Sequence, residues 1–334
     1  MAVTEPDFLE SLNDLGGRVA IVTGGAAGLG LRTTQYLAQR NCIVYAASRN
    51  REKSLRAIAD AEATLPDSHG AIKFHHLDLS TVEGARRSAE AFQKLEDRLD
   101  IVVANGGVSM LAQNELSQDG FERMFATNHL GHFVFVTTLL DLLKRTSKSY
   151  GDVRIVVTSS IGYRNATGLD YSALTQARPG DGDSVWDVIP AFVRYGNSKL
   201  ANMYFTIELD RRLREEGYTD MYCNSCHPGF AGATNLGGGG FGPWGGAWAE
   251  NVIRLLMKPL NSVEDASKTQ TYLAASAQIL QQDVHGQFWA PVWSWTQRYL
   301  RCRAASLTEL ARDEEKQKQL WAFWERATDM AKAT

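Results

Sequence analysis

A tyrosine and a lysine four positions apart are the residues of this sequence best placed to move a proton. The stretch YGNSK puts Tyr195 and Lys199 at positions i and i+4 of a segment with helical spacing, so their side chains share one helix face. A positive charge roughly 4 Å from a phenol is worth about 4 kcal/mol at an effective dielectric constant of about 20. That energy would bring the pKa of a tyrosine, about 10 when free, close to neutrality. The pair therefore predicts a general acid/base, Tyr195, whose pKa Lys199 lowers.

A glycine-rich stretch, VTGGAAGLG, lies between the first predicted strand and the first predicted helix. Glycines at this place let the backbone turn sharply and approach a pyrophosphate, whose charge then lies at the helix N-terminus. The pattern predicts a dinucleotide site, with a plain glycine turn as the alternative. The predicted cofactor contacts in this stretch are Thr23, Gly24, Gly28, Leu29 and Gly30.

Arg49 lies at the end of the second predicted strand, directly after residue 48. An acidic residue there would bind the adenosine 2′-hydroxyl and favour NAD, whereas an arginine offers a planar fork for a 2′-phosphate. The sequence therefore favours NADP(H) over NAD(H), with a solvated surface arginine as the alternative.

Short β-branched runs alternate with longer segments of helical spacing through the first half of the chain. The predicted strands are 18–23, 42–48, 72–78, 100–105 and 153–159, and a sixth strand is predicted at 221–227. The predicted helices between them are 28–40, 51–64, 81–97 and 117–145. Strands that are apolar almost throughout, in this alternation, predict an α/β fold with a doubly wound parallel sheet.

Composition excludes several classes of protein. The chain has 334 residues, 44% of them hydrophobic, and a formal net charge of −3, which argues against nucleic acid as a partner. Its most apolar window, 129–143, is interrupted by polar side chains, so no membrane span is predicted. The acidic start is unlike a secretory signal, and four cysteines do not make a disulfide framework. We therefore expect a cytoplasmic location.

The stretch CNSCH, residues 223–227, matches the pattern of covalent haem attachment. It falls on the predicted sixth strand, where alternate side chains point to opposite faces, so Cys223 and Cys226 could not reach one ligand. We therefore predict no haem and no metal site here. His129 and His132, three positions apart, are expected to pack along their helix, and His75 and His76 are assigned no chemistry.

The sequence resembles the short-chain dehydrogenase/reductase family over residues 18 to about 230. In pattern it is most similar to the branch of retinol dehydrogenases and protochlorophyllide reductases and to fungal short-chain reductases of natural-product pathways. The matching pieces, in the family's order, are TGGAAGLG, DL at 78–79, ANGG at 104–107, TNHLGHF at 127–133, VTSS at 157–160, YGNSK and HPG at 227–229.

The resemblance implies a Rossmann-type sheet and a role for each matching residue. Ser160 would polarise the substrate carbonyl, with Ser159 as its rival, and Tyr195 would give or take the proton. Lys199 would hold the nicotinamide ribose, and Asn128 would anchor a water of the proton relay. The other residues implied to line the cofactor groove are Asp78, Leu79, Asn105, Gly106, Pro228 and Gly229.

Departures from the family pattern suggest additions to one domain. The long interval between Ser160 and Tyr195 indicates an insertion at 161–190, and one extra residue before Thr234 leaves its cofactor contact open. We predict a single domain at 16–300 with a substrate lid at 229–258, and a C-terminal helical extension at 301–334. The predicted buried stripe of that extension is Leu310, Leu320, Trp321 and Trp324.

These expectations combine into an NADP(H)-dependent ketoreductase of secondary metabolism, acting on a bulky, largely apolar carbonyl or alcohol substrate, and forming a homodimer. A non-catalytic NADP(H)-binding sensor, and a non-redox enzyme on the same fold, are the alternatives. Aromatic side chains could line the substrate pocket or merely pack on the domain: Trp186, Phe230, Phe241, Trp244, Trp248, Trp289, Trp293 and Trp295.

Overall fold

The computed structural model describes residues 5–67, 69–108, 115–175, 188–229, 262–294 and 297–328. Of the predicted lid, only Gly229 falls within these ranges. Other residues singled out in the sequence lie outside them, namely Trp186, Phe230, Thr234, Phe241, Trp244, Trp248 and Trp295.

Eight strands form one sheet in the described part of the chain. They are β1 (Val19–Thr23), β2 (Ile43–Ser48), β3 (Ile72–His76), β4 (Ile101–Ala104), β5 (Val153–Thr158), β6 (Met221–Cys226), β7 (Phe288–Ser294) and β8 (Gln297–Ala304). Each of the six predicted strands is found, and every residue of β1, β4, β5 and β6 is buried. Burial on both faces explains why these strands are mostly apolar.

The strand order is β3-β2-β1-β4-β5-β6-β7-β8. All neighbours are parallel except β7 and β8. The chain moves outward from β1 to β3 and then returns to add β4 on the other side, so the order reverses between β1 and β4. In sheets of this doubly wound, Rossmann type, ligands bind at the carboxyl ends of the strands beside that reversal. The predicted fold class is confirmed.

Helices cover both faces of the sheet. They are α1 (Glu5–Glu10), α2 (Gly28–Gln39), α3 (Arg51–Glu62), α4 (Val82–Leu95), α5 (Arg123–Phe125), α6 (Gly131–Thr138), α7 (Leu140–Tyr150), α8 (Val188–Glu215), α9 (Val263–Ala275), α10 (Ala277–Gln281), α11 (Glu309–Arg312) and α12 (Glu314–Ala327). A π-helix at Ala126–Leu130 joins α5 to α6. No helix within the described ranges is long and apolar enough to cross a membrane.

The prediction of one helix over 117–145 is wrong at both ends. Helical structure begins only at Arg123, because the Glu122 carboxylate accepts the backbone N–H groups of Met124 and Phe125 at 3.2 and 2.7 Å. It then runs with interruptions to Tyr150, where Gly151 adopts a left-handed φ of 67°. The apolar spacing marked the buried face, and the cap at Glu122 decided where the helix starts.

The two faces of the sheet have separate apolar cores. One core packs beneath α4, α6, α7, α8 and α12, and the other beneath α1, α2, α3, α9 and α10. Cys223 belongs to the first core and Cys226 to the second, as expected for two residues on opposite faces of β6. Burial raises the pKa of both thiols. The two side chains therefore act as small apolar core residues.

The described part of the predicted C-terminal helical extension contains two helices, α11 and α12. The break lies at Asp313, whose carboxylate caps α12 by accepting the N–H of Lys316 at 3.1 Å. Leu320, Trp321 and Trp324 are buried against the core, and Leu310 is partly buried. The predicted apolar stripe is thereby confirmed, while the domain limits 16–300 and 301–334 remain predictions.

Replacing Leu320 by alanine is expected to lower the free energy of unfolding by about 2–5 kcal/mol, because its side chain is only 1% exposed. Leu280→Ala, which deletes the same atoms from a side chain that is 47% exposed, should cost less than about 1.5 kcal/mol. Urea unfolding followed by circular dichroism compares the two. Equal, small losses would show that α12 is not part of the core.

Candidate active site

The residues of the predicted site converge at the carboxyl ends of β1, β4 and β5. Thr23 ends β1, Asn105 directly follows β4, and Ser159 and Ser160 directly follow β5. The Asn105 amide donates to the carbonyl of Thr23 at 2.9 Å, and the Gly106 N–H donates to the Thr23 hydroxyl at 2.8 Å. These bonds join the two strand ends across the point where the strand order reverses.

The glycine stretch forms a tight cradle above this point. Gly24 has a left-handed φ of 66°, and a Cβ on it would lie 3.1 Å from the Cα of Gly106. A Cβ on Gly30 would lie 2.3 Å from the carbonyl oxygen of Gly24, so no side chain fits there. Ala27, the N-cap of α2, provides no side-chain cap for the first N–H groups of that helix. The cradle and the uncapped helix start together suit a pyrophosphate.

The remaining predicted cofactor residues flank the cradle. Arg49 is exposed just after β2, and no hydrogen bond or ion pair joins it to another described residue. Asp78 accepts both the N–H and the hydroxyl of Ser80, at 2.9 and 2.7 Å. Leu79 is buried, and its Cδ1 would lie 3.0 Å from a Cβ on Gly106. Leu29 is partly exposed on the first turn of α2, while Gly28 has a left-handed φ of 50°.

Pro228 and Gly229 follow β6, and both are partly exposed. Gly229 has a φ of 103°, a backbone conformation that residues other than glycine rarely adopt. His227, just before them, is buried, and burial lowers its pKa to about 4.

Helix α8 carries Tyr195 and Lys199 into the site as the spacing predicts. The Lys199 ammonium donates to the carbonyl of Thr158 at 3.2 Å and lies 5.5 Å from the centre of the Tyr195 ring. Tyr195 is partly exposed, whereas Lys199 is buried. A Cβ on Gly162 would lie 3.2 Å from the Tyr195 ring and 3.4 Å from the Ser160 hydroxyl, so Gly162 lets these two side chains meet.

The electrostatics of the pair differ from the sequence expectation. Burial raises the pKa of Tyr195, and a hydrogen bond with Ser160 opposes that rise only in part. Burial also lowers the pKa of Lys199 to about 8. The expected drop of the tyrosine pKa to near neutrality is therefore wrong for this structure, because the ammonium points to the Thr158 carbonyl instead of the phenol.

The two candidate serines have different surroundings. Ser159 is buried, and its hydroxyl donates to the backbone carbonyl of Lys199 at 2.7 Å, which anchors α8 to the end of β5. Ser160 is partly exposed and hydrogen-bonds to Tyr195, while its hydroxyl accepts the N–H of Gly162 at 3.1 Å. Ser160 is therefore the serine positioned to contact a substrate beside Tyr195.

Asn128 lies on the π-helix, a helix type often found at functional sites. Its side chain is buried, accepts the N–H of Val108 at 2.7 Å and donates to the carbonyl of Val108 at 2.9 Å and to Ser198 at 3.2 Å. A Cβ on Gly107 would lie 2.9 Å from the Asn128 Oδ1 and 3.9 Å from the Lys199 Nζ. Asn128 thus fixes the loop after β4 beside Lys199.

Two histidines that the sequence suggested only pack along their helix, His129 and His132, support this region through hydrogen bonds. The Nδ1 of His132 lies 3.1 Å from the Asn128 carbonyl, which can only accept, so its Nε2 accepts from the Thr23 hydroxyl at 2.8 Å. His129 contacts Asn202 at 3.0 Å. Burial lowers the pKa of His132 to about 4 and that of His129 to about 3, so both are neutral at physiological pH.

Gln270 on α9 is a further buried residue that sequence analysis missed. Its amide donates to Thr33 at 2.6 Å and to Asn105 at 3.2 Å, and its carbonyl oxygen accepts the Thr158 hydroxyl at 2.9 Å. It therefore ties the end of β5 to the loop after β4 from below. The one available signal is the polar run SKTQT within a helix, which is unusual for a buried segment.

Comparisons with known proteins agree with the fold. A family model described as short chain dehydrogenase matches residues 18–175. The chain is 37% identical over 220 residues to an uncharacterized oxidoreductase of Schizosaccharomyces pombe, covering 65% of this chain and 61% of that protein. It therefore spans less than two thirds of the length of that relative.

A longer match is found with retinol dehydrogenase 13 of Homo sapiens, 33% identical over 311 residues and covering 92% of this chain and 83% of that protein. Among solved structures, an uncharacterized protein from Mycobacterium paratuberculosis is similar with a TM-score of 0.70 and 24% identity, over 96% of this chain and 97% of that one. At that identity the structural match concerns the fold alone.

The buried neutral histidines predict a loss of stability in mild acid. The folded pKa of His132, about 4, lies below its ordinary value of 6.5, so the unfolded chain binds the proton more readily and stability falls as pH drops through that window. Between pH 7 and pH 5 this histidine alone should cost on the order of 2 kcal/mol.

His132→Gln, which cannot titrate, should therefore lose less stability than wild type over the same pH interval, as measured by urea unfolding at the two pH values. His76→Gln, at an exposed position, is the matched control and should behave like wild type. An unchanged pH dependence in His132→Gln would contradict the buried neutral imidazole.

Proposed function

Because the chain belongs to the short-chain dehydrogenase/reductase family, we propose that it is an NADP(H)-dependent oxidoreductase that interconverts a ketone and a secondary alcohol. The observation that carries the proposal is the meeting of Ser160, Tyr195 and Lys199 beside the glycine cradle. A nucleotide-binding sensor would need the cradle but not this set of proton-handling side chains. The cytoplasmic location, the homodimer and the place in secondary metabolism remain predictions.

The residues present fit a nicotinamide dinucleotide. Gly24 and Gly30 let the turn before α2 pack tightly against Asn105 and Gly106, and the uncapped start of α2 offers backbone N–H groups to a pyrophosphate. Thr23, Asn105 and Gly106 would form the floor of the groove. Arg49 supports the choice of NADP(H), because it is exposed after β2 and engaged by no described side chain. When bound, the cofactor supplies or accepts a hydride at its nicotinamide ring.

The protein's own side chains would transfer the proton. Since burial raises the pKa of Tyr195, its phenol is protonated at neutral pH and can donate to the oxygen of a carbonyl substrate. Ser160, hydrogen-bonded to Tyr195, would stabilise charge that develops on the same oxygen. Lys199, with a pKa of about 8, is mostly cationic at pH 7 and favours the negative phenolate that remains.

An apolar substrate is supported by the surface next to Tyr195. Phe192 lies one turn earlier on α8, on the same helix face, and is 37% exposed, which is unusual for a large apolar side chain. We propose that Phe192 contacts the apolar part of that substrate.

NADPH is expected to bind at least about tenfold more tightly than NADH, a difference of about 1.4 kcal/mol. Arg49→Ala should remove most of this preference by weakening NADPH binding alone, because only NADPH carries the 2′-phosphate. Quenching of tryptophan fluorescence measures both affinities without a substrate. Arg56→Ala, which removes the same charge from an exposed position of α3 paired with Glu52, is the control and should keep the preference.

An equal loss in both arginine variants would point to a general charge effect. Absence of saturable binding of either nucleotide to the wild type would refute the proposed function itself.

Tyr195→Phe is expected to lower kcat for ketone reduction by about 10²–10⁴-fold, because the variant lacks the proton donor, while NADPH affinity stays close to that of wild type. The loss of NADPH absorbance with a panel of bulky apolar ketones measures turnover. Tyr222→Phe, in β6, is the matched control. Product formation without NADPH consumption would instead indicate a non-redox reaction.

A further inference from the structure

The carbonyl oxygen of Thr158 receives two N–H groups. One comes from the Lys199 ammonium and the other from the side-chain amide of Asn202, each at 3.2 Å. Thr158, Lys199 and Asn202 are all buried, and Thr158 is the last residue of β5, two positions before Ser160. The position of this oxygen therefore determines where the Lys199 ammonium lies.

A chain of buried hydrogen bonds leads from Asn202 to the C-terminal helix. The Oδ1 of Asn202 lies 3.0 Å from the Nδ1 of His129, and the Nε2 of His129 lies 2.9 Å from the indole nitrogen of Trp324. His129 and Trp324 are 0% exposed and Asn202 is 1% exposed, so water does not compete for these bonds. This series of hydrogen bonds connects α12 with the end of β5 through the π-helix and α8.

The donor and acceptor properties of these groups fix the direction of each hydrogen bond in the series. An indole N–H can only donate, so the Nε2 of His129 must accept, and a neutral imidazole then carries its proton on Nδ1. That proton goes to the Oδ1 of Asn202, which leaves the Asn202 NH₂ group facing the Thr158 carbonyl. The low pKa of His129, about 3 through burial, keeps the imidazole neutral over the working range of pH.

We propose that Trp324 is a positioning residue for the Tyr195–Lys199 pair, because its indole N–H sets the tautomer of His129 and thereby the orientation of the Asn202 amide. The role of Trp324 in catalysis rests on the proposed function, whereas its effect on His129 and Asn202 rests on the contacts described above. Docking of α12 thus completes the active site, although no residue of α12 lies in it.

Loss of the indole N–H frees His129 to adopt either tautomer. With the proton on Nε2, the Nδ1 accepts, and the Asn202 amide turns its Oδ1 toward the Thr158 oxygen. Two carbonyl oxygens then face each other, and the Thr158 peptide shifts away from Lys199. The ammonium loses its hydrogen-bond acceptor, which destabilises its charged form.

The test compares two Trp→Phe variants on one helix. Trp324→Phe removes the N–H that reaches His129, whereas Trp321→Phe removes an N–H that donates to Glu325 at 2.6 Å and leaves a buried ring packed near Phe133 and Phe205. Asn202→Ala breaks the chain of bonds without altering α12, and it decides the question if Trp324→Phe does not fold.

The primary measurements are made on the full chain and need no substrate. Nuclear magnetic resonance of isotope-labelled histidine reports the tautomer of His129, and that of isotope-labelled lysine reports the pKa of Lys199, with Lys199→Arg for assignment. We expect the Nδ1–H tautomer in wild type and in Trp321→Phe, and a mixture in Trp324→Phe. The pKa of Lys199 should fall by at least about 0.5 in Trp324→Phe and in Asn202→Ala, and stay unchanged in Trp321→Phe.

A ketone from the panel adds a kinetic measurement. In Trp324→Phe, kcat should fall by about 10- to 100-fold with an unchanged KM for NADPH, since a small displacement of catalytic groups slows the reaction without affecting the nucleotide cradle. An unchanged His129 tautomer and Lys199 pKa in folded Trp324→Phe, or an unchanged Lys199 pKa in Asn202→Ala, would overturn the proposal. Failure of the proposed function is distinguishable, because it shows as absent NADPH binding in wild type while the lysine titration is still measurable.

Discussion

The position of helix α8 relative to the end of β5 is the constraint on which the candidate site depends. Three hydrogen bonds set it: Lys199 and Asn202 donate to the carbonyl of Thr158, and Ser159 donates back to the carbonyl of Lys199. Because these bonds run in both directions and are buried, α8 can neither slide nor rotate without leaving polar groups unpaired. Tyr195 and Ser160 face each other as a consequence of this attachment.

Burial has opposite effects on the two members of the Tyr195–Lys199 pair. It favours the neutral phenol and the neutral amine, which raises the pKa of Tyr195 and lowers that of Lys199 to about 8. The phenol of Tyr195 is therefore protonated and able to donate. Lys199 stays positively charged near neutral pH because its ammonium donates a hydrogen bond to the Thr158 carbonyl.

What could be predicted from the sequence depended on local patterns. Strand bounds follow from apolar runs, the cradle from glycine spacing, and the common face of Tyr195 and Lys199 from helical periodicity. The hydrogen-bond acceptor of the Lys199 ammonium could not be predicted, because sequence spacing shows on which helix face a residue lies but not which group a flexible side chain contacts. The bonds of Gln270 to Asn105 and of Trp324 to His129 join residues 165 and 195 positions apart, which no local pattern reveals.

The stretch NHLGH shows how several of these constraints share a few residues. Gly131 has no room for a side chain, since a Cβ on it would lie 2.3 Å from the carbonyl oxygen of Leu79, and this close contact brings the helix directly onto the loop after β3. Asn128 then reaches the loop after β4, and His132 reaches Thr23 at the end of β1. His129 contacts Asn202 on one side and Trp324 on the other. His129 therefore links the π-helix to the C-terminal helix, and His132 links α6 to the end of β1.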